Sequence, residues 1–198
     1  MKVRLKTPLS EGDIKKLKVG DIVYLDGTIY TGRDEAHMRA LEYLEEKKDI
    51  PVDFSGAALF HCGPIVQKEN GNWGLVAAGP TTSSRMNSLE PEFIEKLGVR
   101  IIIGKGGMSS DTVEAMKEFG CVYLAMTGGA AILAASGVKK VEGVFWLDLG
   151  MPEALWIFEG ENFGPLTVGI DSHGNSLYEE VQKEVEKSLP RIKEALLG

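Results

Sequence analysis

Only two cysteines, Cys62 and Cys121, occur in 198 residues, and they lie far apart with no CxxC spacing. A disulfide framework and a paired-thiol motif are excluded; small buried thiols in a reducing compartment fit better. No apolar run approaches the roughly 18 residues of a membrane span, and the start, Met1 to Asp13, has no apolar stretch of the export type. The expected place is therefore the cytoplasm. Basic residues are the minority, with Lys+Arg at 22 against Asp+Glu at 29 and a formal charge of -7. That balance excludes the broad cationic face of a nucleic-acid binder, so any anion site must be local. Repeats, linkers and low-complexity tracts are missing too. What remains, at 43% hydrophobic content, is enough to bury the core of one domain over residues 1–198.

The pattern along the chain is α/β, with a β-rich N-terminal part and a parallel βαβ middle in a mixed sheet. "KVRLKTP" alternates as a strand, and "LSEGDIKKLKVGD" predicts a short helix started near Ser10 and stopped by Gly20. In "DIVYLDGTIYTG" two strand-like runs flank Asp26-Gly27, which predicts a hairpin. Helical spacing of Ala36, Ala40, Leu41 and Leu44 predicts a helix from Arg33 to Lys48. Two or three strands follow, with a turn at Asn70-Gly71. Then "VRIIIGKGG", "DTVEAMKEFG", "CVYLAMTGG" and "AAILAASG" read as strand, helix, strand, helix. Asp111 with Glu114 makes a capping-box pair, and Gly120 and Gly137 stand where left-handed helix ends belong. "VEGVFWLDLG", "ALWIFEGENFG" and "PLTVGIDSHGNSL" return to strands, and an amphipathic helix with Pro190 as a site for a bend closes the chain.

Three stretches could carry chemistry. "GPTTSSRM" sets a Gly-Pro corner and the hydroxyls of Thr81, Thr82, Ser83 and Ser84 beside Arg85, ahead of a helix from about Ser88. Free N–H groups and a guanidinium fork suit a carboxylate or phosphate, although such runs are more often turns and caps. "IIIGKGGMSS" ends a strand in a glycine loop that holds Lys105. It fails as a P-loop, because Gly106 follows the lysine, and as a dinucleotide fingerprint, because Ser109 replaces the third glycine and no acid ends the next strand. In "YTGRDEAHMR", Arg33 and His37 lie one helical turn apart. Each stretch has a plain structural explanation alone. Together, three local cationic sites in a chain of charge -7 fit a dicarboxylate, which needs two separately placed clamps.

"GTIYTGRDEAHMR", "GPTTSSRM", "GKGGMSS", "TGGAA" and "LGMPEALW", in this order, resemble the β subunit of the two-subunit class I fumarases or of the similar L(+)-tartrate dehydratases, from about Val3 to Leu177. The resemblance implies a single swivelling β/β/α domain of an iron-sulfur hydro-lyase that reversibly hydrates fumarate to (S)-malate. It implies a hetero-oligomer, in which a separate α subunit ligates a four-iron four-sulfur cluster and this chain binds no metal. By the same resemblance Arg33, Arg85 and Lys105 hold the substrate's carboxylates, and Thr81 is the proposed base, so Thr81 and Lys105 are the catalytic candidates. Where single-chain fumarases have KGNR, this chain has Lys105-Gly106-Gly107-Met108, with no second cation on the loop. Cysteine number agrees: a catalytic cluster with one open iron takes three thiolates, and this chain has two. His61, Cys62, Cys121 and His173 read as strand or turn residues, and Met151 and Trp156 as core or interface. Fumarate hydratase is placed ahead of tartrate dehydratase. The alternatives are a stand-alone anion-binding domain and a nucleotide binder using the Lys105 loop.

Overall fold

Short strands with apolar residues on both faces need cover on both sides. In the computed structural model, which describes residues 1–69 and 71–197, a closed barrel supplies the inner cover and helices the outer. The elements are β1 (Lys2–Lys6), α1 (Glu11–Ile14), β2 (Ile22–Thr31), α2 (Asp34–Glu45), β3 (Ala58–Phe60), β4 (Ile65–Glu69) and β5 (Asn72–Ala77). After them come α3 (Glu90–Leu97), β6 (Ile101–Gly104), α4 (Ser110–Phe119), β7 (Val122–Ala125), α5 (Ala131–Ser136), β8 (Val138–Phe145), β9 (Leu155–Ile170) and α6 (Leu177–Leu197). β2, β3, β6 and β7 pair in parallel in that order. β9, 16 residues long, runs antiparallel to both β7 and β2 and closes a five-stranded mixed barrel. β1 extends β2 in parallel, and β8 lies antiparallel on β9.

Strand alternation separates two cores. Ala58, Phe60, Ile101, Ile103, Val122 and Leu124 join Trp156, Phe158 and Phe163 in one. Their neighbours Leu59, Ile102 and Tyr123 join Phe93 and Ile94 of α3 and Val113 and Met116 of α4 in the other.

Several expectations hold. β1 alternates, Ser10 caps α1 in a capping box with Asp13, and the β6-α4-β7 unit is parallel. The helix after "GPTTSSRM" starts at Glu90, behind a 3₁₀ turn over Ser83–Met86. Others are corrected. Asp26-Gly27 makes no hairpin but a bulge within the single strand β2. Gly27, at φ +87, lies against Thr7, whose Oγ1 donates to the Thr28 carbonyl at 2.8 Å; a Cβ on Gly27 would sit 2.6 Å from that oxygen. Asp26 spends its carboxylate on Arg4 and on the Asn162 N–H. α1 ends at Ile14, well before Gly20. The cap of α4 is Ser109 rather than Asp111, and no side-chain capping bond forms there. Gly120 is left-handed as expected, whereas Gly137 is not; it is small because Phe163 Cα would lie 2.9 Å from a Cβ. The last helix of this run, α5, leads to β8, which pairs antiparallel with β9. The two stretches expected as separate strands, from Ala154 and from Pro165, are one strand, β9. Of the Asn70-Gly71 turn, Asn70 lies outside the described residues. α6 runs through Pro190, with Val181, Val185, Leu189 and Ile192 exposed on it.

Candidate active site

The carboxyl ends of β2, β3, β6 and β7 share one edge of the barrel, which is where open parallel sheets place their ligands. The segments leaving it carry Arg33, His61, Lys105 and the Thr127-Gly128-Gly129 turn. Thr81 is stitched into this edge by its backbone. Its N–H donates to the His61 carbonyl at 2.6 Å, and its carbonyl accepts from Lys105 N at 3.2 Å. Ser83 N–H then donates to the Lys105 carbonyl at 3.0 Å, so Thr81 to Ser83 run beside Lys105 as a fragment of parallel strand. The Lys105 stem crosses Gly128, where a Cβ would lie 3.5 Å from its Cδ.

Both arginines meet carboxylates of their own chain. Arg85, on the 3₁₀ turn, places Nη2 2.8 Å from Asp34 Oδ2. Arg33 precedes α2 as its N-cap, and its Nη2 lies 3.1 Å from Glu153 Oε1. Its guanidinium presses on Gly63, where a Cβ would come within 2.7 Å of Nη1. Lys105 has no ion-pair partner among the described residues. The structure thus brings Thr81 and Lys105 onto adjoining backbone, with Arg85 paired to Asp34, the residue that follows Arg33 in the chain. The four hydroxyls divide: Thr81 is half-buried, Thr82 and Ser84 are exposed, and Ser83 is buried.

Beneath this edge lies a group that the sequence did not announce. His37, His61 and Glu90 are fully buried, with Glu90 Oε2 3.4 Å from His37 Nε2 and 3.0 Å from His61 Nε2. His37 Nδ1 meets the Arg33 carbonyl at 2.8 Å, and His61 Nδ1 meets Ser83 Oγ at 2.9 Å. Burial raises the Glu90 carboxyl, but the two imidazoles outweigh it and hold it down to about 2. Burial lowers His37, yet the Glu90 carboxylate leaves that ring above the ordinary histidine value. At His61 burial prevails and the ring lies below it. The one available signal was the spacing of Arg33 and His37. Glu90, ahead of Pro91, looks like any helix-start acid.

The described residues do not fit an iron-sulfur cluster. Cys62 and Cys121 are buried in separate cores, and burial pushes both thiols up, away from the thiolate a cluster needs. The glycine loop also has packing reasons. Gly104 makes room for Ser83, whose Oγ would lie 1.9 Å from a Cβ there, and Gly107 sits on the Tyr178 ring.

Comparison with known proteins follows the same outline. The profile described as Fumarase C-terminus matches residues 1–181. A Methanocaldococcus jannaschii protein, provisionally named L(+)-tartrate dehydratase subunit beta, is 52% identical over 185 residues, covering 93% of this chain and 95% of its own. The L(+)-tartrate dehydratase subunit beta of Escherichia coli K12 is 47% identical over 183 residues, 92% of this chain and 90% of that one. A Geobacillus stearothermophilus protein, provisionally named fumarate hydratase class I, is 45% identical over 197 residues, 99% of this chain but 37% of that longer protein. A profile match of this extent, joined by relatives aligned over nearly their whole length, shows that the chain belongs to the Fumarase C-terminus family.

Proposed function

We propose that this chain is the β subunit of a heteromeric hydro-lyase for a four-carbon dicarboxylate, with L(+)-tartrate as the first substrate to consider. The observation that carries it is the pair of arginines, each closed by an internal carboxylate, on the segments that leave the barrel edge where Thr81 and Lys105 are joined by their backbones. Glu153 and Asp34 hold the places that two substrate carboxylates would take. The expected order of substrates is reversed, because relatives matched over nearly their full length carry the tartrate dehydratase name. Fumarate with (S)-malate is the second reading, favoured by the Geobacillus relative.

Dehydration of tartrate removes a proton from one carbinol carbon and hydroxide from the next, leaving the enol of oxaloacetate, which ketonises. Arg33 and Arg85 grip the carboxylates, and Lys105 balances the charge that gathers on the substrate as the proton leaves. Thr81 offers a hydroxyl on the strand fragment that pairs with Lys105, and a hydroxyl accepts a proton only where a cation supports it. The iron-sulfur cluster of this enzyme class falls to a separate α subunit, and the domain swivels to close the shared site.

Anaerobic co-expression with an α chain tests this. The pair should dehydrate L(+)-tartrate, and the isolated chain should hold no iron and turn over nothing. Arg33→Lys and Arg85→Lys keep the charge but lose the fork, and should each lower kcat/KM by about 30-fold or more. A pair that accepts malate and refuses tartrate selects the second reading; turnover by the isolated chain sinks both.

A further inference from the structure

The buried group under the site has a charge state that its partners dictate. His37 Nδ1 faces the Arg33 carbonyl at 2.8 Å, and a carbonyl only accepts, so Nδ1 carries a proton. Nε2 faces the Glu90 carboxylate at 3.4 Å, again an acceptor, so it carries one as well. His37 is therefore an imidazolium. His61 differs, because its Nδ1 faces a hydroxyl that can donate, Ser83 Oγ at 2.9 Å. A neutral ring protonated at Nε2 accepts from Ser83 and presents a donor nitrogen to Glu90 Oε2 at 3.0 Å, and Ser83 Oγ in turn accepts from Tyr123 OH at 3.1 Å. One cation, one anion and one neutral ring sum to zero, the combination that full burial tolerates best. The other ionisable groups facing the three are Asp34 at the start of α2, Cys121 just before β7 and Tyr123 within it; burial pushes the last two up, so neither ionises.

The same three residues reach every proposed site residue except Arg85. The Arg33 carbonyl is held twice by His37, through the ring and through its N–H at 3.0 Å. The His61 carbonyl holds Thr81 N–H, and its ring holds Ser83, whose N–H holds the Lys105 carbonyl. We propose that His37, Glu90 and His61 act as one buried positioning assembly that sets the seats of Arg33, Thr81 and Lys105, an inference that rests on the function proposed above. A metal ion is the competing occupant. The three ligand atoms lie within 4.8 Å of one another, and neither contact to Glu90 is aligned as a full hydrogen bond. Zinc takes four ligands, however, and the group offers three among the described residues, with no exposed side for a fourth.

Ring-protonation NMR on the ¹⁵N-histidine-labelled chain decides the charge state between about pH 6 and about pH 8. His37 should remain doubly protonated and His61 neutral with its proton on Nε2. Glu90→Gln, equal in shape and without charge, should leave His37 neutral at about pH 8. In the co-expressed enzyme the same variant should lower kcat/KM about 10²-fold, the cost of seats displaced by about 1 Å, and Glu90→Asp should recover part of it. Two neutral rings in the wild type overturn the assembly, as does unchanged kcat/KM in Glu90→Gln once His37 has lost its proton. One equivalent of zinc or iron in the purified chain, absent from Glu90→Gln, overturns it in favour of a metal site. Should the co-expressed pair turn over neither dicarboxylate, the proposed function fails, while the ring states still decide whether the assembly exists.

Discussion

The barrel interior and the helical layer around it are built on opposite faces of the same strands, yet they follow different rules. Inside, Phe60, Phe158, Phe163 and Trp156 are fully buried among other apolar side chains, and the buried Thr31 spends its hydroxyl on the Ala154 carbonyl and the Trp156 N–H. Outside, Leu59, Ile102 and Tyr123 pack against α3 and α4, but toward the carboxyl-end edge the layer takes in Glu90, His37 and His61. Buried charge adds little net stability, and an apolar packing of the same volume often does as well. The fold places it where the neighbouring backbone carries Arg33, Thr81 and Lys105. Both faces bury apolar side chains, and the outer one takes in charged groups near the candidate site.

The comparison breaks most visibly at Phe163. Its ring meets Phe60 with centroids 5.5 Å apart, and Gly137 and Gly160 are shaped around it. Phe163→Ala should cost about 3–5 kcal/mol in urea unfolding, because barrel closure leaves little freedom to collapse the cavity. The dependence of stability on pH should stay parallel to wild type. A loss below about 1 kcal/mol would mean that the interior is no rigid core.

How much of this could be read from the chain depends on how local the cause is. The parallel β6-α4-β7 unit was legible because apolar runs, helical spacing and a left-handed Gly120 all act within a few residues. Asp26-Gly27 misled because its partners, Thr7 and Arg4, come from β1 and the turn after it, and the dipeptide carries no trace of them. Arg33, Thr81, Arg85 and Lys105 stood out through ordered motifs, and the fold gathers the segments that bear them. Glu90 was invisible: only the packing of α3 against His37 and His61 distinguishes it from a solvated helix-start acid.

Gly104 marks the border between the two faces and gives the next largest effect. An alanine there would put Cβ 1.9 Å from Ser83 Oγ and 3.3 Å from Ser83 Cβ. Gly104→Ala should cost about 3 kcal/mol, the upper end of overpacking, since both atoms sit in a fully buried site. Ser83→Gly removes both obstacles, so the double variant should be more stable than the sum of the singles predicts. Strict additivity would show that the contact relaxes by moving the loop.

The smallest effect sharpens the comparison through pH. His61 lies below its ordinary value in the folded chain, so its contribution to stability is fully present above about pH 6.5 and is lost as pH falls through the folded value. His37 lies above it, so its contribution is present below about pH 6.5 and is lost as pH rises through the folded value. Glu90, at about 2, adds a further loss as pH falls from the ordinary carboxylate range toward that value. Wild-type stability should therefore peak near neutrality. His61→Gln can keep a donor toward Glu90 but takes up no proton. It should cost about 1–2 kcal/mol at about pH 8 and less at about pH 5, because the wild type gives up part of what His61 supplies as pH falls below the ordinary histidine value. Thermal unfolding of wild type, His61→Gln and Phe163→Ala across that range checks it. An acid limb that survives His61→Gln unchanged would place the titrating group elsewhere and leave the two faces of the sheet alike in their response to pH.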